Sequence, residues 1–292
     1  MKKEALKFYL DNDLSEIISE KSQNHFLALD KKPAEVKTNA IGLATKINAI
    51  NPAISTSQAL STLAKKSQQN SLVEISASAN GANQEQKFVP LNEIVAAATK
   101  AAQAAKTIAE LRKAVEKFDG CGLKKMATNT VFADGNPDSE IMVIGEAPGN
   151  HEDLQGIPFC GDSGKLLDDM FRSINLDRTK LYITNVIFWR PPGNRRPTDE
   201  ELAICRPFVE RHIQLFNPKI MILVGSTSMS AVLGINDPVT GVRGKIIDFA
   251  ASFMPKKIKT FVVFHPSYLM RQSGKKRLAW RDMLVIEKFL LG

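Results

Sequence analysis

Four short runs rich in isoleucine and valine limit what this chain can fold into: 140–145 (EIMVIG), 180–187 (KLYITNVI), 219–225 (KIMILVG) and 260–264 (TFVVF). They are continuous rather than alternating, as expected of strands buried on both faces. Helical patterns occupy 163–174, 198–215, 226–233 and 273–291. Strands alternating with helices in this way predict a three-layer α/β/α sandwich around a central four-stranded, mainly parallel sheet. Residues 235–258 break the rhythm, and Val242-Arg243-Gly244-Lys245 reads as part of a hairpin excursion.

The part of the chain before the first strand reads differently. Leu6, Leu10, Leu14, Ile17 and Ile18 sit near helical spacing, so residues 1–26 predict a short amphipathic helix. Residues 27–90 are rich in Ser, Ala, Asn, Gln and Lys and nearly free of aromatics. Such a composition buries too little apolar surface to offset its ordering entropy, and predicts a flexible linker. Residues 91–118 are almost all strong helix formers, with Asn92 as a candidate N-cap and Asp119-Gly120 as a stop. They predict a helix packed on a domain spanning 119–292.

The net charge of +8 and the pI near 9.3 fit an acidic partner such as nucleic acid, and equally a generically basic protein. Most of the excess sits after residue 110, where 26 basic residues face 20 acidic ones. Three cysteines give no disulfide framework, the apolar runs are far short of a membrane span, and the acid-studded N-terminus does not read as a signal peptide. A cytoplasmic location with no membrane partner is the expectation.

In an open α/β sheet, the loops after the strands gather at one edge and carry the chemistry. Here they are Gly145-Glu146-Ala147-Pro148-Gly149, then Asn185 leading to Trp189-Arg190-Pro191-Pro192-Gly193-Asn194-Arg195, then Gly225-Ser226-Thr227-Ser228, then His265-Pro266-Ser267-Tyr268-Leu269-Met270-Arg271. A phosphate loop around Gly164-Lys165 is excluded, because Phe159 stands where the first glycine belongs and Leu166 replaces the Ser or Thr. No G-x-S-x-G elbow and no zinc spacing is present.

Four pieces together, GEAPGNHED (145–153), GIPFCGDSGKLLD (156–168), YITNVIFWRPPGNRRPTDEE (182–201) and HPSYLMR (265–271), resemble the family 4 uracil-DNA glycosylases in order and spacing. The resemblance covers roughly residues 118–292. It implies a repair enzyme that flips uracil out of single- or double-stranded DNA and hydrolyses its glycosidic bond. The alternative is a glycosylase fold that binds DNA without catalysis. A flipped base needs an edge reader, an aromatic platform and a donor at the developing oxyanion. By resemblance, Asn185 reads the uracil edge, Phe159 stacks on the base and His265 stabilises charge on O2. Glu146 positions substrate or water, and Glu152 guards against the thymine methyl. Gly145, Ala147, Pro148 and Gly149 complete the substrate wall. Ala147 stands where another branch of the superfamily carries an aspartate, so that role does not transfer. Gly149 stands where that branch has a bulky tyrosine. Leu269 and Met270 suit a wedge filling the vacated base stack. Arg271 flanks that wedge as a cation, and Arg190, Arg195, Arg196, Lys275, Lys276 and Arg277 suit phosphate contacts.

One departure is plain. The family carries four cysteines around a [4Fe–4S] cluster, and this sequence has Cys121 and Cys205 at two positions but Phe118 and Trp189 at the others. Neither Phe nor Trp ligates iron. Loss of the cluster, with no cofactor, is the expectation. Cys160 lies in the pocket loop, where the family has no ligand.

Overall fold

The computed structural model describes residues 89–292. The amphipathic helix expected at 1–26, and all of the expected linker but its last two residues, lie outside the described residues.

The four apolar runs form the parallel centre of the sheet: β2 (Ile141–Gly145), β3 (Tyr182–Asn185), β4 (Ile220–Val224) and β6 (Ile258–Val263). The strand order is β1-β3-β2-β4-β6-β5, so the sheet has six strands rather than four. The two additions, β1 (Ala133–Gly135) and β5 (Ile246–Phe249), are short antiparallel edges on β3 and β6. Their sequences, Ala-Asp-Gly and Ile-Ile-Asp-Phe, lack the continuous buried pattern because an edge strand faces solvent. The excursion predicted at 235–258 is this β5–β6 hairpin together with α7 (Val239–Val242).

All residues of β2, β3 and β4 are buried, and alternation divides them between two layers. Met142, Ile144, Met221, Leu223 and Val262 pack with Leu111, Val115, Phe208 and Met229 on one face. Val143, Ile183, Ile222, Val224 and Val263 pack with Leu167, Met170, Phe171, Met283 and Ile286 on the other. The first layer is built by α1 (Leu91–Ala104), α2 (Ile108–Lys117), α5 (Asp199–Phe216) and α6 (Ser226–Leu233). The second is built by α4 (Asp162–Arg172) and α9 (Lys276–Leu291). Helices α3 (Asn150–Gln155) and α8 (Pro266–Arg271) are short and belong to the loop edge.

The stretch expected to be one helix over 91–118 is two. Thr107 starts α2 as an N-cap, accepting from the Glu110 backbone N–H at 3.2 Å. Arg211 of α5 donates to the Ala105 carbonyl from both Nε and Nη2, at 3.0 and 2.7 Å. A side-chain cap and a tertiary ligand for the released carbonyl outweigh the helix preference of the intervening residues. The predicted helix at 273–291 likewise begins as a 3₁₀ turn, Ser273–Lys275, before α9. Among the described residues, no helix is long and apolar enough to cross a membrane.

Candidate active site

Parallel registry puts the ends of four strands side by side. Gly145 pairs with Asn185 across β2 and β3, and Val224 pairs with Val263 across β4 and β6. The loops leaving these ends enclose a cavity of about 670 Å³ lined by Glu146, Ala147, Pro148, Gly149, Glu152, Phe159, Asn185, Arg195, Phe264, His265, Tyr268 and Arg271. A larger cavity, about 920 Å³, lies between α1, α5, α6 and β5. Its walls are mostly aliphatic and its Arg206 and Glu210 pair with each other at 2.7 Å. Position and convergent polar groups, not volume, distinguish a site of chemistry, and the smaller cavity lies at the ends of the parallel strands where Glu146, Asn185 and His265 meet.

Asn185 ends β3 and is 2 % exposed, and its side-chain carbonyl oxygen has no hydrogen-bond partner. Leaving a buried acceptor unmatched costs about 1–3 kcal/mol. A Cβ on Gly145 would lie 2.4 Å from this oxygen and 2.4 Å from the Phe159 ring, so only glycine lets the amide and the ring share this space. Phe159 itself sits at φ +53°, a left-handed conformation costing a non-glycine residue about 1–3 kcal/mol. Its ring centroid is 5.8 Å from that of His265, so ring and imidazole form one continuous wall. The backbone of α4 packs so tightly under this residue that a Cβ on Gly164 would be 1.7 Å from the Phe159 carbonyl oxygen.

His265 caps α8. Its Nδ1 accepts from the Ser267 backbone N–H at 3.2 Å and lies 2.8 Å from the Ser267 hydroxyl. An Nδ1 that accepts leaves the proton of the neutral ring on Nε2. Burial pushes the His265 pKa below its ordinary value, with Glu146 pulling the other way and Arg271 adding to the depression. The ring is thus a neutral donor at neutral pH.

The three acids of the first loop have separate tasks. Glu146 lines the cavity, half-buried, and its carboxylate makes no hydrogen bond to a described residue. Glu152 accepts from the Gly149 N–H at 3.0 Å and from the Gly161 N–H at 2.9 Å, which are the N-caps of α3 and α4. One carboxylate therefore bridges two helix starts, where the dipoles favour negative charge. Both of its oxygens are engaged by the backbone, while the residue also lines the cavity, where the sequence places a guard against the thymine methyl. Asp153 accepts from the N–H groups of Thr128 and Asn129 at 2.8 and 3.1 Å and pins α3 to the preceding loop.

The outer residues also separate. Leu269 is 1 % exposed and packs in the core beneath α8, whereas Met270 is 51 % exposed with its sulfur 3.8 Å from the Ser163 hydroxyl. The helical turn sends adjacent side chains to opposite sides, so Leu269 is not available as a wedge. Arg195 forms a bidentate pair with Glu201 at 2.6 and 2.9 Å, and Arg190 bridges Asn150 and Asn194 at 2.7 Å each. Both arginines hold loops together, while Arg271 stands exposed at the cavity mouth. Phe264, Tyr268 and Pro238-Val239-Thr240 also line the cavity. The last three come from the excursion, which sequence could not place because its position depends on the β5–β6 pairing.

Cys121 and Cys205 are free thiols, both fully buried in the same apolar layer. Trp189 is 1 % exposed and donates from its indole to the Thr130 hydroxyl at 2.9 Å. Phe118 packs edge-on against Phe208 with centroids 5.1 Å apart. Two thiols and two aromatic rings do not fit a four-iron cluster, which takes four thiolates. Among the described residues, no group of three or more His, Cys, Asp or Glu side chains is placed to hold a metal.

Comparison with known proteins agrees with this geometry. Residues 132–285 match the family described as the Uracil DNA glycosylase superfamily. A type-4 uracil-DNA glycosylase of Thermotoga maritima is 37% identical over 179 residues, covering 60% of this chain and 91% of the relative. Type-4 enzymes of Sulfurisphaera tokodaii and Archaeoglobus fulgidus are 34% and 38% identical, covering 63% and 51% of this chain and 86% and 76% of theirs. The chain belongs to the uracil-DNA glycosylase superfamily, in its type-4 branch.

Proposed function

We propose that the cavity at the strand ends receives a uracil flipped out of single- or double-stranded DNA, and that the chain hydrolyses the bond between uracil N1 and the sugar C1′. The product is an abasic site, the first intermediate of base excision repair. The observation that carries the reading is the buried, unpartnered Asn185 oxygen beside Phe159 and His265. Uracil N3–H supplies the donor this oxygen lacks, and the Asn185 amide N–H donates to uracil O4.

Flipping costs a few kcal/mol, offset by burying the base against Phe159. As the glycosidic bond breaks, its electron pair moves onto uracil and concentrates on O2, where the neutral His265 Nε2–H donates. Water then adds its oxygen to C1′, and the proton it releases passes through solvent to the uracil anion, which leaves as neutral uracil. Glu146 is the acid with a carboxylate turned to the cavity and not engaged elsewhere, which suits it to orient that water. Glu152 acts at a distance, by fixing the loop that bears Phe159. With Leu269 in the core, Met270 and Arg271 remain as the groups that enter or flank the vacated stack. Similarity to type-4 uracil-DNA glycosylases favours catalysis over a non-catalytic binding module.

We further infer that the protein works without an iron–sulfur cluster and in the cytoplasm. The buried Cys121 and Cys205 thiols and the Phe118 and Trp189 rings support the first point, since packing replaces ligation. Uracil release from an oligonucleotide, compared with Asn185→Ala, tests the function. Release that is unchanged in the variant would remove Asn185 from it.

A further inference from the structure

Arg178 lies outside the cavity, in the segment between α4 and β3, yet every arm of its guanidinium is engaged. Nη1 donates to the Pro158 carbonyl at 3.1 Å and to Asp134 Oδ2 at 2.6 Å. Nη2 donates to the Phe159 carbonyl, and Nε donates to Asp168 Oδ1 at 3.1 Å. The two carbonyls belong to the residue at φ +53° and to its predecessor. A planar fork with fixed donors holds two successive carbonyls and two carboxylates at once, which an ammonium on a flexible stem does not. Asp134 comes from the edge strand β1 and Asp168 from α4, so the fork is itself oriented from two sides.

We propose that Arg178 is a positioning residue that holds Phe159 in its left-handed conformation and thereby sets how tightly the pocket grips uracil. The proposal rests on the reading of Phe159 as the stacking platform. It gives the short edge strand β1 a part in recognition, through Asp134, although β1 does not line the cavity. An arginine that merely braced the fold would change stability and leave the ring, and so base affinity, as it was.

The test is a double-mutant cycle on the full chain with Arg178→Lys, Phe159→Ala and the pair. kcat, KM and the inhibition constant for free uracil are measured at equal concentrations of folded protein. Arg178→Lys is expected to raise KM and the uracil inhibition constant about tenfold, with a smaller fall in kcat. In the Phe159→Ala background the same change is expected to add less than about twofold, because its effect passes through the ring. Asp134→Asn, a milder change, moves the inhibition constant in the same direction and serves if Arg178→Lys does not fold. Unchanged constants alongside a lowered melting temperature would overturn the proposal, as would effects that multiply in the double variant. If Phe159→Ala alone leaves the uracil inhibition constant unchanged, the platform reading fails first and the proposal falls with it.

Discussion

Asn185 and Trp189 lie four residues apart on the segment leaving β3, and both are buried, yet their surroundings are opposite. The Asn185 oxygen has no partner, on a side chain that lines a cavity, in a loop system that also strains Phe159. The Trp189 indole is hydrogen-bonded to Thr130 and sits in the apolar layer that also holds the buried thiols of Cys121 and Cys205. One region holds unmet polar capacity and backbone strain, which stability alone would remove. In the other, the indole N–H has its partner and the rings are packed. The difference separates residues kept for a ligand from residues kept for the fold.

Substitutions should therefore divide cleanly between activity and stability. The largest expected effect is on the ligand side. Asn185→Ala and His265→Ala should each lower kcat/KM for uracil release by about 10²–10³-fold, the scale of losing one donor at a developing oxyanion. The melting temperature of Asn185→Ala should move little, since the Asn185 oxygen gives up no hydrogen bond in the unliganded protein, whereas His265→Ala also loses the cap of α8 and should cost about 0.5–2 kcal/mol. A large loss of stability in Asn185→Ala would blur the comparison. Trp189→Ala should do the reverse, costing about 3–5 kcal/mol in denaturant unfolding while the folded fraction keeps its KM. A specific activity falling in step with Asn185→Ala would join the two regions into one functional unit.

How much of this was legible beforehand follows the same division. The four central strands were readable because burial on both faces leaves continuous Ile and Val runs, and the cavity followed from the loops after them. The edge strands were not, since β1 is Ala-Asp-Gly and owes its conformation to β3. Phe159, Asn185 and His265 were named from sequence and meet in space. Core packing takes Leu269 out of reach of DNA, and backbone N–H groups and a nearby glutamate engage Glu152 and Arg195, partners that residue type alone does not reveal. Glu152 did carry a sequence signal, an acid three residues after a helix-starting Gly149. Arg178 carried none.

Smaller effects sharpen the boundary. Leu269→Ala should cost about 2–5 kcal/mol of stability and Met270→Ala almost none, while Met270→Ala should weaken action on duplex more than on single strands. Equal losses on both substrates would remove Met270 from the wedge role. Glu152→Gln should lower stability by about 1–3 kcal/mol and leave the preference of uracil over thymine unchanged, as its oxygens serve Gly149 and Gly161. A gain of thymine release would instead support the guarding role expected of it.

The pH response is the subtlest. Burial lowers the His265 pKa, so the folded chain binds fewer protons at this ring than the unfolded chain does once pH falls below about 6.5. Its contribution is neutral above that value and increasingly destabilising below it. Activity should stay level from pH 8 down past the ordinary imidazole range and fall only where the depressed group protonates. A decline centred on the ordinary imidazole pKa would mean that His265 is not held as inferred.

The most direct test of the whole account is uracil release by the purified full chain with iron quantified in the same sample. The account predicts complete conversion of a uracil-containing oligonucleotide to its abasic form by protein that is colourless and free of iron. Protein that releases no uracil, or whose activity tracks stoichiometric iron and a brown absorbance, would contradict it.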